Sequence, residues 1–250
     1  MAWYDEFFDE HYLDYWAQIL HRERTSREVS FIVEKLALPQ GARILDLCCG
    51  QARHAIELAK LGYDVTGLDL NKFLLDAGRK FSEKAGVNIC FVQGDMRAIP
   101  FENEFDAVVN LFTAFGYFEQ EEENQRALAG VHRCLRPGGK FLLDQSHVLR
   151  AARDFQPRVW QEYPDGTLLI EERKLDARTV RYKTRATYIK PDGSRVERHN
   201  DIRGYTCAEL SNMLRAAGLE VIDVFGDFRG AELAITSKRL IVISRKGTPG

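Results

Sequence analysis

From residue 42 onward, apolar runs typical of buried strands alternate with segments that repeat apolar side chains at helical spacing. The apolar runs predict strands at 42–47, 63–69, 88–93, 105–110 and 139–145, and the spaced segments predict helices at 52–61, 71–85 and 121–135. Strands separated by helices form right-handed crossovers, which place the strands in a parallel sheet with helices on both faces. We expect the turn at Pro137-Gly138-Gly139 to end the last of these helices.

The chain departs from this alternation on both sides. Residues 3–38 predict two helices, the first rich in aromatic side chains and the second beginning near Ser26. Residues 157–204 alternate polar and apolar positions between turn signals, which predicts an antiparallel meander.

The C-terminal part returns to the sheet pattern. Thr206 followed by Glu209 forms a capping box, which predicts the start of a helix. We expect that helix, two strands and a disordered tail at 206–218, 219–225, 239–245 and 246–250. The whole pattern predicts an α/β fold with a seven-stranded, mostly parallel sheet, helices on both faces and an antiparallel β insertion.

Bulk composition narrows the classes of function. The 250 residues are 45% hydrophobic and 29% charged, with a net charge of -2. Neutralising a phosphate backbone needs an excess of Lys and Arg, so this balance argues against nucleic acid as the main partner. The sequence has no apolar run of about 18 residues and therefore predicts no transmembrane helix. Its acidic, aromatic N-terminus does not resemble a signal peptide. We therefore expect a cytoplasmic protein with no membrane partner.

The cysteines lack the C-x-x-C spacing of zinc and redox sites. They are expected to be buried thiols in a reducing compartment, and we expect no metal. The five positions are Cys48, Cys49, Cys90, Cys134 and Cys207.

The most informative stretch is 44–53, where an apolar strand ends on Asp46 and turns through Gly50 into a helix. The helix N-terminus offers unpaired N–H groups to an anion, and Asp46 can take an ammonium group. A dinucleotide loop would carry G-x-G-x-x-G directly after the strand, and that fingerprint is absent. A purely structural strand-loop-helix stays open at this point.

Two further strand ends carry acids. Asp69 suits the hydroxyls of a ribose, although it can also cap the next helix, a role that Asn71 can fill instead. After the third strand, Asp95 can accept from an exocyclic amine and Met96 can cover a flat ring, although a plain turn is the alternative.

Taken in order, these strand ends resemble the motifs of the class I S-adenosylmethionine-dependent methyltransferases. The matching segments are 45–53, 67–70, 94–96, 105–110 and 135–141. The resemblance covers roughly residues 40–147 closely. Family members usually carry D-x-G-x-G-x-G, and here Cys48 and Ala52 replace the outer glycines, which makes a positive φ costlier at both positions.

The resemblance implies a Rossmann-like sheet whose last strand is antiparallel, and it implies S-adenosylmethionine as cofactor. It places the methionine tail at Asp46 and the 50–53 turn, the ribose at Asp69, and the adenine at Asp95 and Met96. The full set of cofactor-binding residues that we predict is Asp46, Cys48, Gly50, Arg53, Asp69, Leu70, Asp95, Met96, Asn110, Tyr12 and Arg24.

An aromatic loop, 110–118, follows the fourth strand. Its rings can exclude water and face a sulfonium through cation–π contact, or they can cap the core. The loop lacks the N/D-P-P-Y/F form that the family uses for amino-purine and glutamine methylation, and the Pro-Cys form of cytosine C5 chemistry. Both absences favour a small-molecule acceptor.

Two residues near this edge are candidates for catalysis. His147 can act as a general base or bind substrate, and Tyr117 lies in the aromatic loop. Transfer to an amine can also proceed by positioning alone. In the N-terminal lid, Tyr12, Tyr15 and Arg24 can close over the cofactor, or the aromatic stripe can pack on the core. The insertion resembles those that complete an acceptor pocket or a dimer contact, or it is a solvated sheet.

The sequence therefore predicts a methyltransferase that acts on N or O of a small molecule by in-line displacement, as a monomer or homodimer. RNA or protein methylation and a non-catalytic cofactor-binding protein are the alternatives. The predicted divisions are an N-terminal helical lid at 1–40, an S-adenosylmethionine-binding core at 41–150, the β insertion at 151–205, and a final helix with two strands at 206–246.

Overall fold

The computed structural model describes residues 2–19 and 22–247. The chain begins with three helices, α1 (Trp3–Phe7), α2 (Glu10–Ile19) and α3 (Arg22–Leu36). The prediction of two helices is therefore wrong in number, and the last one begins before Ser26. Asp9 explains the extra break, because its Oδ1 accepts a hydrogen bond from the backbone N–H of Tyr12 at 3.0 Å and so starts a new helix.

The next elements alternate as the sequence predicts. They are β1 (Arg43–Leu47), α4 (Arg53–Lys60), β2 (Asp64–Asp69), α5 (Lys72–Ala85), β3 (Cys90–Gln93), β4 (Phe105–Asn110), α6 (Glu121–Cys134) and β5 (Leu135–Ser146). A single 3₁₀ turn over Met96–Ala98 lies between β3 and β4. The rest of the chain forms α7 (Val148–Arg153), β6 (Arg158–Glu162), β7 (Leu168–Asp176), β8 (Arg181–Ile189), β9 (Arg195–Arg203), α8 (Cys207–Ala216), β10 (Leu219–Phe225) and β11 (Arg239–Lys246).

Seven strands form the main sheet in the order β10-β11-β5-β4-β1-β2-β3. β11 is antiparallel to both of its neighbours, and the remaining pairs are parallel. This confirms the predicted fold class. β1 pairs with β2 on one side and with β4 on the other. The strand order reverses there, which is where open α/β sheets bind their ligands.

The core covers both faces of this sheet. Neighbouring positions of β1 point to opposite sides, so that Ile44 and Leu45 are each fully buried in different clusters. Leu45 packs with side chains of α6 and α8, whereas Ile44 packs with side chains of α3 and α4. The apolar runs of the sequence are continuous because the central strands are buried on both faces.

The insertion is a separate four-stranded antiparallel sheet in the order β6-β7-β8-β9, as the sequence predicts. One of its faces packs on α2. The ring of Tyr15 stacks on Tyr188 of β8 at 4.0 Å between centroids, and Leu169 and Ala186 are buried beside them. This contact joins the N-terminal helices to the insertion.

From β1 onward, most predicted boundaries differ from the observed ones by one or two residues, and the larger differences are near the C-terminal half. The predicted helix-ending turn at Pro137-Gly138-Gly139 is wrong, because α6 ends at Cys134 and these residues lie within β5. β5 begins at Leu135 because this residue pairs with Phe105, and the ladder is irregular until Lys140 pairs with Ala107. The short helix α7 is not predicted. In the tail, β11 includes Lys246, and residues 248–250 lie outside the described residues.

The capping box is confirmed. Glu209 donates its N–H to the Thr206 hydroxyl at 3.2 Å, and the Thr206 N–H donates to the Glu209 carboxylate at 2.8 Å. Within the described part of the chain, no helix has the length and apolar character needed to cross a membrane.

Candidate active site

The turn after β1 has a left-handed backbone at alternate residues. The φ angles are +62° at Cys48, +54° at Gly50 and +65° at Ala52. Cys48 and Ala52 each carry a Cβ atom, so the left-handed backbone costs about 1–2 kcal/mol at each of them, as the sequence leads us to expect. Tertiary hydrogen bonds hold the turn in place, because the N–H groups of Cys48 and Cys49 both donate to the carbonyl of Leu68.

Asp46 lies at the C-terminal end of β1 and is 2% exposed. Its Oδ2 is buried and has no hydrogen-bond partner among the described residues. Burial raises the pKa of Asp46 to about 7, and the charge of Asp69 adds to the effect while Arg53 opposes it. A buried carboxylate oxygen without a partner is costly, so this site is suited to a cationic group from a ligand.

Asp69 lies on the neighbouring strand end and is held by backbone amides. Its Oδ2 accepts from the N–H of Gly50 at 2.8 Å, and its Oδ1 accepts from the N–H of Asn71 at 2.8 Å. Burial raises the pKa of Asp69, although these two N–H groups oppose the shift. The side chain of Asn71 caps α5 by accepting from the N–H of Leu74. Asp69 is therefore not the helix cap and has further lone pairs for a ligand.

Asp95, the third strand-end acid, is paired within the protein. Its carboxylate accepts from the backbone N–H and the guanidinium of Arg97, which also pairs with Glu123 and lies 4.4 Å over the ring of Phe118. Burial opposes the shift, but the Arg97 hydrogen bonds and charge hold the pKa of Asp95 below its usual value. Beside it, the Sδ of buried Met96 lies 4.0 Å from the Sγ of Cys48.

These strand ends, the first turn and the N-terminal helices surround a cavity of about 430 Å³. All but three of the predicted site residues line it. Those in its wall are Tyr12, Asp46, Cys48, Gly50, Arg53, Asp69, Leu70, Asp95, Met96 and Tyr117.

The N-terminal helices close one side of this cavity. Tyr4, Phe8 and Tyr12 line it, and the Nδ2 of Asn71 donates to the carbonyl of Phe8 at 2.7 Å. Burial raises the pKa of Tyr117 far above its ordinary value, so its phenol keeps its proton at neutral pH. The sequence pointed to an aromatic lid but did not single out Tyr4 or Phe8.

Three predicted residues are placed outside the cavity wall. The Nδ2 of Asn110 donates to the Leu47 carbonyl at 3.0 Å and ties β4 to β1. Arg24 pairs with Glu28 on its own helix. His147 is buried at the start of α7, and its Nδ1 lies 3.2 Å from the carbonyl oxygen of Ser237.

Tyr15, which the sequence also suggested as a lid residue, does not line the cavity either, because it packs on the insertion.

The side chain of Arg53 is held by α3. Its Nη1 donates to the Glu28 carboxylate at 2.5 Å and to the Thr25 hydroxyl at 3.0 Å. Its Nη2 is buried and has no partner among the described residues. The sequence analysis missed Glu28 and Thr25. Both residues lie at helical spacing from Ile32, on the buried face of α3, and this spacing could have pointed to them.

The aromatic loop after β4 contributes Phe112 to the wall, in a left-handed backbone conformation with φ +64°. Its N–H donates to the Oδ2 of Asp144 at 2.9 Å, and the buried Asp144 carboxylate accepts two hydrogen bonds from Arg239 of β11. The ring of Phe112 faces the guanidinium carbons of Arg24 at 5.1 Å and of Arg53 at 5.3 Å.

Comparison with known proteins gives one family model and many relatives. A model described as "Methyltransferase domain" matches residues 44–139. A putative methyltransferase of Geobacillus sp. (strain WCH70) is 26% identical over 261 residues, which is 98% of this chain and 97% of the relative.

Two solved structures share the fold over almost the whole chain. One is an S-adenosylmethionine-dependent methyltransferase from Clostridium acetobutylicum, with a TM-score of 0.83, 16% identity, and coverage of 95% of this chain and 97% of that one. The other is CalS10 from Micromonospora echinaspora, an amino pentose methyltransferase with bound S-adenosylmethionine. Its TM-score is 0.73 at 21% identity, and the match covers 96% of this chain and 98% of that one.

A parallel sheet with acids on three successive strand ends, together with these likenesses, defines a methyltransferase. These findings support a class I S-adenosylmethionine-dependent methyltransferase with S-adenosylmethionine as its cofactor. The residues present fit that group. A buried carboxylate oxygen on Asp46 and a buried guanidinium nitrogen on Arg53, both unpartnered among the described residues, complement an ammonium and a carboxylate.

Proposed function

We propose that this methyltransferase transfers the methyl group of S-adenosylmethionine to a nitrogen or oxygen of a small-molecule acceptor by in-line displacement. The observation that carries this proposal is the closed N-terminal segment, in which Tyr4, Phe8 and Tyr12 line the cavity beside the strand ends. A cavity covered in this way suits a small acceptor better than a polymer. The cofactor supplies an electrophilic methyl group on a sulfonium centre.

In this proposal each strand end binds one part of the cofactor. Asp46 accepts from the ammonium group of the methionine tail, and Arg53 donates to its carboxylate. The Asp69 carboxylate accepts from the ribose hydroxyls, because its own backbone donors leave lone pairs unused. Asp95 and Met96 border the adenine. The unpartnered oxygen of Asp46 and the unpartnered nitrogen of Arg53 support the first two roles most directly.

The aromatic wall would serve the acceptor side. The rings of Tyr4, Phe8 and Tyr117 lie close together, with 6.1 and 6.2 Å between the Tyr117 centroid and those of Tyr4 and Phe8. Such rings exclude water and face a cationic centre favourably. The protonated phenol of Tyr117 can donate a hydrogen bond that orients the acceptor.

We assign no general base. Of the two residues predicted to be catalytic, Tyr117 lines the cavity and His147 does not. His54 also lines the cavity, but burial and the Arg53 charge lower its pKa to about 4, and its Nε2 is bonded to Glu28. Holding a neutral amine in line with the methyl group is sufficient for such a transfer. The amino pentose acceptor of CalS10 makes small amines the first class to test.

The test is release of S-adenosylhomocysteine from S-adenosylmethionine in the presence of a panel of acceptors. One arm contains small amines and amino sugars, a second contains hydroxyl compounds, and two more contain total RNA and an unfolded protein. We expect turnover in the first or second arm, with Asp46→Asn as the inactive control. Turnover with RNA or protein alone would refute the proposal, and so would failure to bind S-adenosylhomocysteine at millimolar concentration.

A further inference from the structure

We propose that Glu28 of α3 is a positioning residue for the cofactor, because it holds the guanidinium of Arg53 with Nη2 turned towards the methionine tail. The inference rests on the proposed role of Arg53 and extends it to a helix that does not itself line the cavity. Glu28 would act only through Arg53 and touch neither cofactor nor acceptor.

The geometry around Glu28 is that of a built site. The residue is 4% exposed, and three side chains reach its carboxylate. Arg53 donates at 2.5 Å, His54 Nε2 lies at 2.8 Å, and Arg24 donates at 2.9 Å. Arg53 and His54 are the first two residues of α4, so one carboxylate fixes the start of the helix that follows the cofactor turn.

The groups around the Glu28 carboxylate stabilise its ionised form. Burial by itself raises the pKa of Glu28, but the hydrogen bonds and charges of His54, Arg53 and Arg24 hold it below its usual value, so the group is ionised at neutral pH. His54 is neutral at that pH because burial lowers its pKa to about 4, and its Nε2–H then donates to Glu28. The single negative charge of Glu28 therefore neutralises only one of the two positive charges on Arg24 and Arg53.

The planar fork of Arg53 then has one orientation. Its Nη1 is fixed between Glu28 and Thr25, and its guanidinium carbon lies over the ring of Phe112, 5.3 Å from the centroid. The two terminal nitrogens of a guanidinium diverge, so fixing Nη1 also fixes Nη2. That nitrogen is buried without a partner among the described residues, on a side chain that lines the cavity.

The experiment compares two ligands of the same pocket by calorimetry on the full chain. S-Adenosylhomocysteine carries the amino-acid tail, whereas 5′-methylthioadenosine has the same nucleoside without it. The ratio of their dissociation constants isolates binding of the tail. A purely structural change lowers both affinities together and leaves that ratio unchanged.

In Glu28→Gln we expect S-adenosylhomocysteine to bind about 10- to 100-fold more weakly, the usual effect of losing a hydrogen bond to a charged group. Binding of 5′-methylthioadenosine should change little. In an Arg53→Met background, Glu28→Gln should cause no further change in the ratio, because the residue through which it acts is gone. Asp106→Asn, which removes a carboxylate bonded to Arg43 and Arg136 at the opposite edge of the sheet, is the matched control.

Loss of one partner of a buried ion pair can prevent folding. Thr25→Val is the milder variant, since it keeps the shape of the side chain and removes the acceptor that lies 3.0 Å from Arg53 Nη1. It should weaken S-adenosylhomocysteine severalfold without affecting 5′-methylthioadenosine.

An unchanged ratio in Thr25→Val, or in a folded Glu28→Gln protein, would overturn the inference while leaving the methyltransferase proposal intact. That proposal fails separately, if the unmodified chain binds neither ligand.

Discussion

The cofactor crevice and the β insertion use charged residues in opposite ways. In the crevice, Asp46 and Glu28 are 2% and 4% exposed, and their surroundings change their pKa values strongly. In the insertion, Glu172 pairs with Arg158 and Arg185, whose side chains are 80% and 52% exposed. Solvent screens such exposed pairs, whereas buried groups interact at low dielectric.

The insertion meets the N-terminal helices through an apolar contact and through an ion pair between Arg198 and Asp9. Its buried apolar residues are the tyrosines and aliphatic side chains that face Tyr15, and the opposite side of the sheet carries exposed Trp160 and Ile170. The crevice is thus organised for binding and the insertion for attachment to the N-terminal helices. Substitutions in the two regions should therefore affect different measurements.

The largest effect on stability is expected at Tyr15. Tyr15→Ala removes the ring that stacks on Tyr188 and should lower the free energy of unfolding by about 3–5 kcal/mol. Thermal denaturation measures this loss. The ratio of S-adenosylhomocysteine to 5′-methylthioadenosine affinity should not change, because Tyr15 does not line the cavity. Tyr15→Phe is the control, and it should be as stable as the unmodified chain because the Tyr15 hydroxyl is buried without a partner among the described residues.

Asp46→Asn should have the opposite effects to Tyr15→Ala: weaker ligand binding and no loss of stability. Loss of the partner of a buried ammonium group should weaken S-adenosylhomocysteine binding by about 2–4 kcal/mol. Thermal stability should not fall, because the variant removes a buried carboxylate whose Oδ2 has no partner among the described residues. Calorimetry and thermal denaturation on the same preparation test both statements, and a less stable protein with normal affinity contradicts them.

The pH dependence of binding should follow Asp46. Its pKa in the folded chain is about 7, above the unfolded value, so folding favours the protonated carboxyl and Asp46 stabilises the ligand-free fold as pH falls from 7 towards 4. Binding the ammonium group requires the ionised form. The affinity for S-adenosylhomocysteine should therefore fall about tenfold per pH unit below 7.

Titrations at pH 8, 7 and 6 test this dependence, with 5′-methylthioadenosine as the ligand that should not respond. A flat profile for S-adenosylhomocysteine would show that Asp46 is ionised throughout this range.

The smallest effect is expected in the insertion. Glu172→Gln removes the acceptor of both exposed ion pairs, and its unfolding midpoint should equal that of the unmodified chain within error. A clear loss of stability would mean that the charged face of the insertion is covered in solution.

Local signals explain why the strand-end acids could be predicted. Each follows an apolar run and precedes a helix or turn, and residues at the carboxyl ends of neighbouring parallel strands meet in space. Asp46, Asp69 and Asp95 accordingly line one cavity. The left-handed backbone at Cys48 and Ala52 was also predictable, because the methyltransferase family that the sequence resembles usually has glycine at both positions.

Contacts between distant segments could not be predicted. His147 lies outside the cavity because the backbone at Ser237 and Lys238 bonds to it. Tyr15 faces the insertion because its partner, Tyr188, lies far along the chain. Helical periodicity places Glu28 on a buried stripe, but it does not show that Arg53 is the residue opposite. Such pairings depend on how helices and sheets pack against each other, and the spacing of apolar residues along the sequence does not determine that packing.

The clamp between Asp144 and Arg239 has a consequence for synthesis of the protein. Phe112 donates its N–H to Asp144, and Arg239, which lies on the final strand, completes that arrangement. Because β11 lies between β5 and β10, this part of the cavity wall can be completed only after almost the whole chain has been synthesised. The wall of the cavity at Phe112 therefore depends on contacts that the last strand of the sheet supplies.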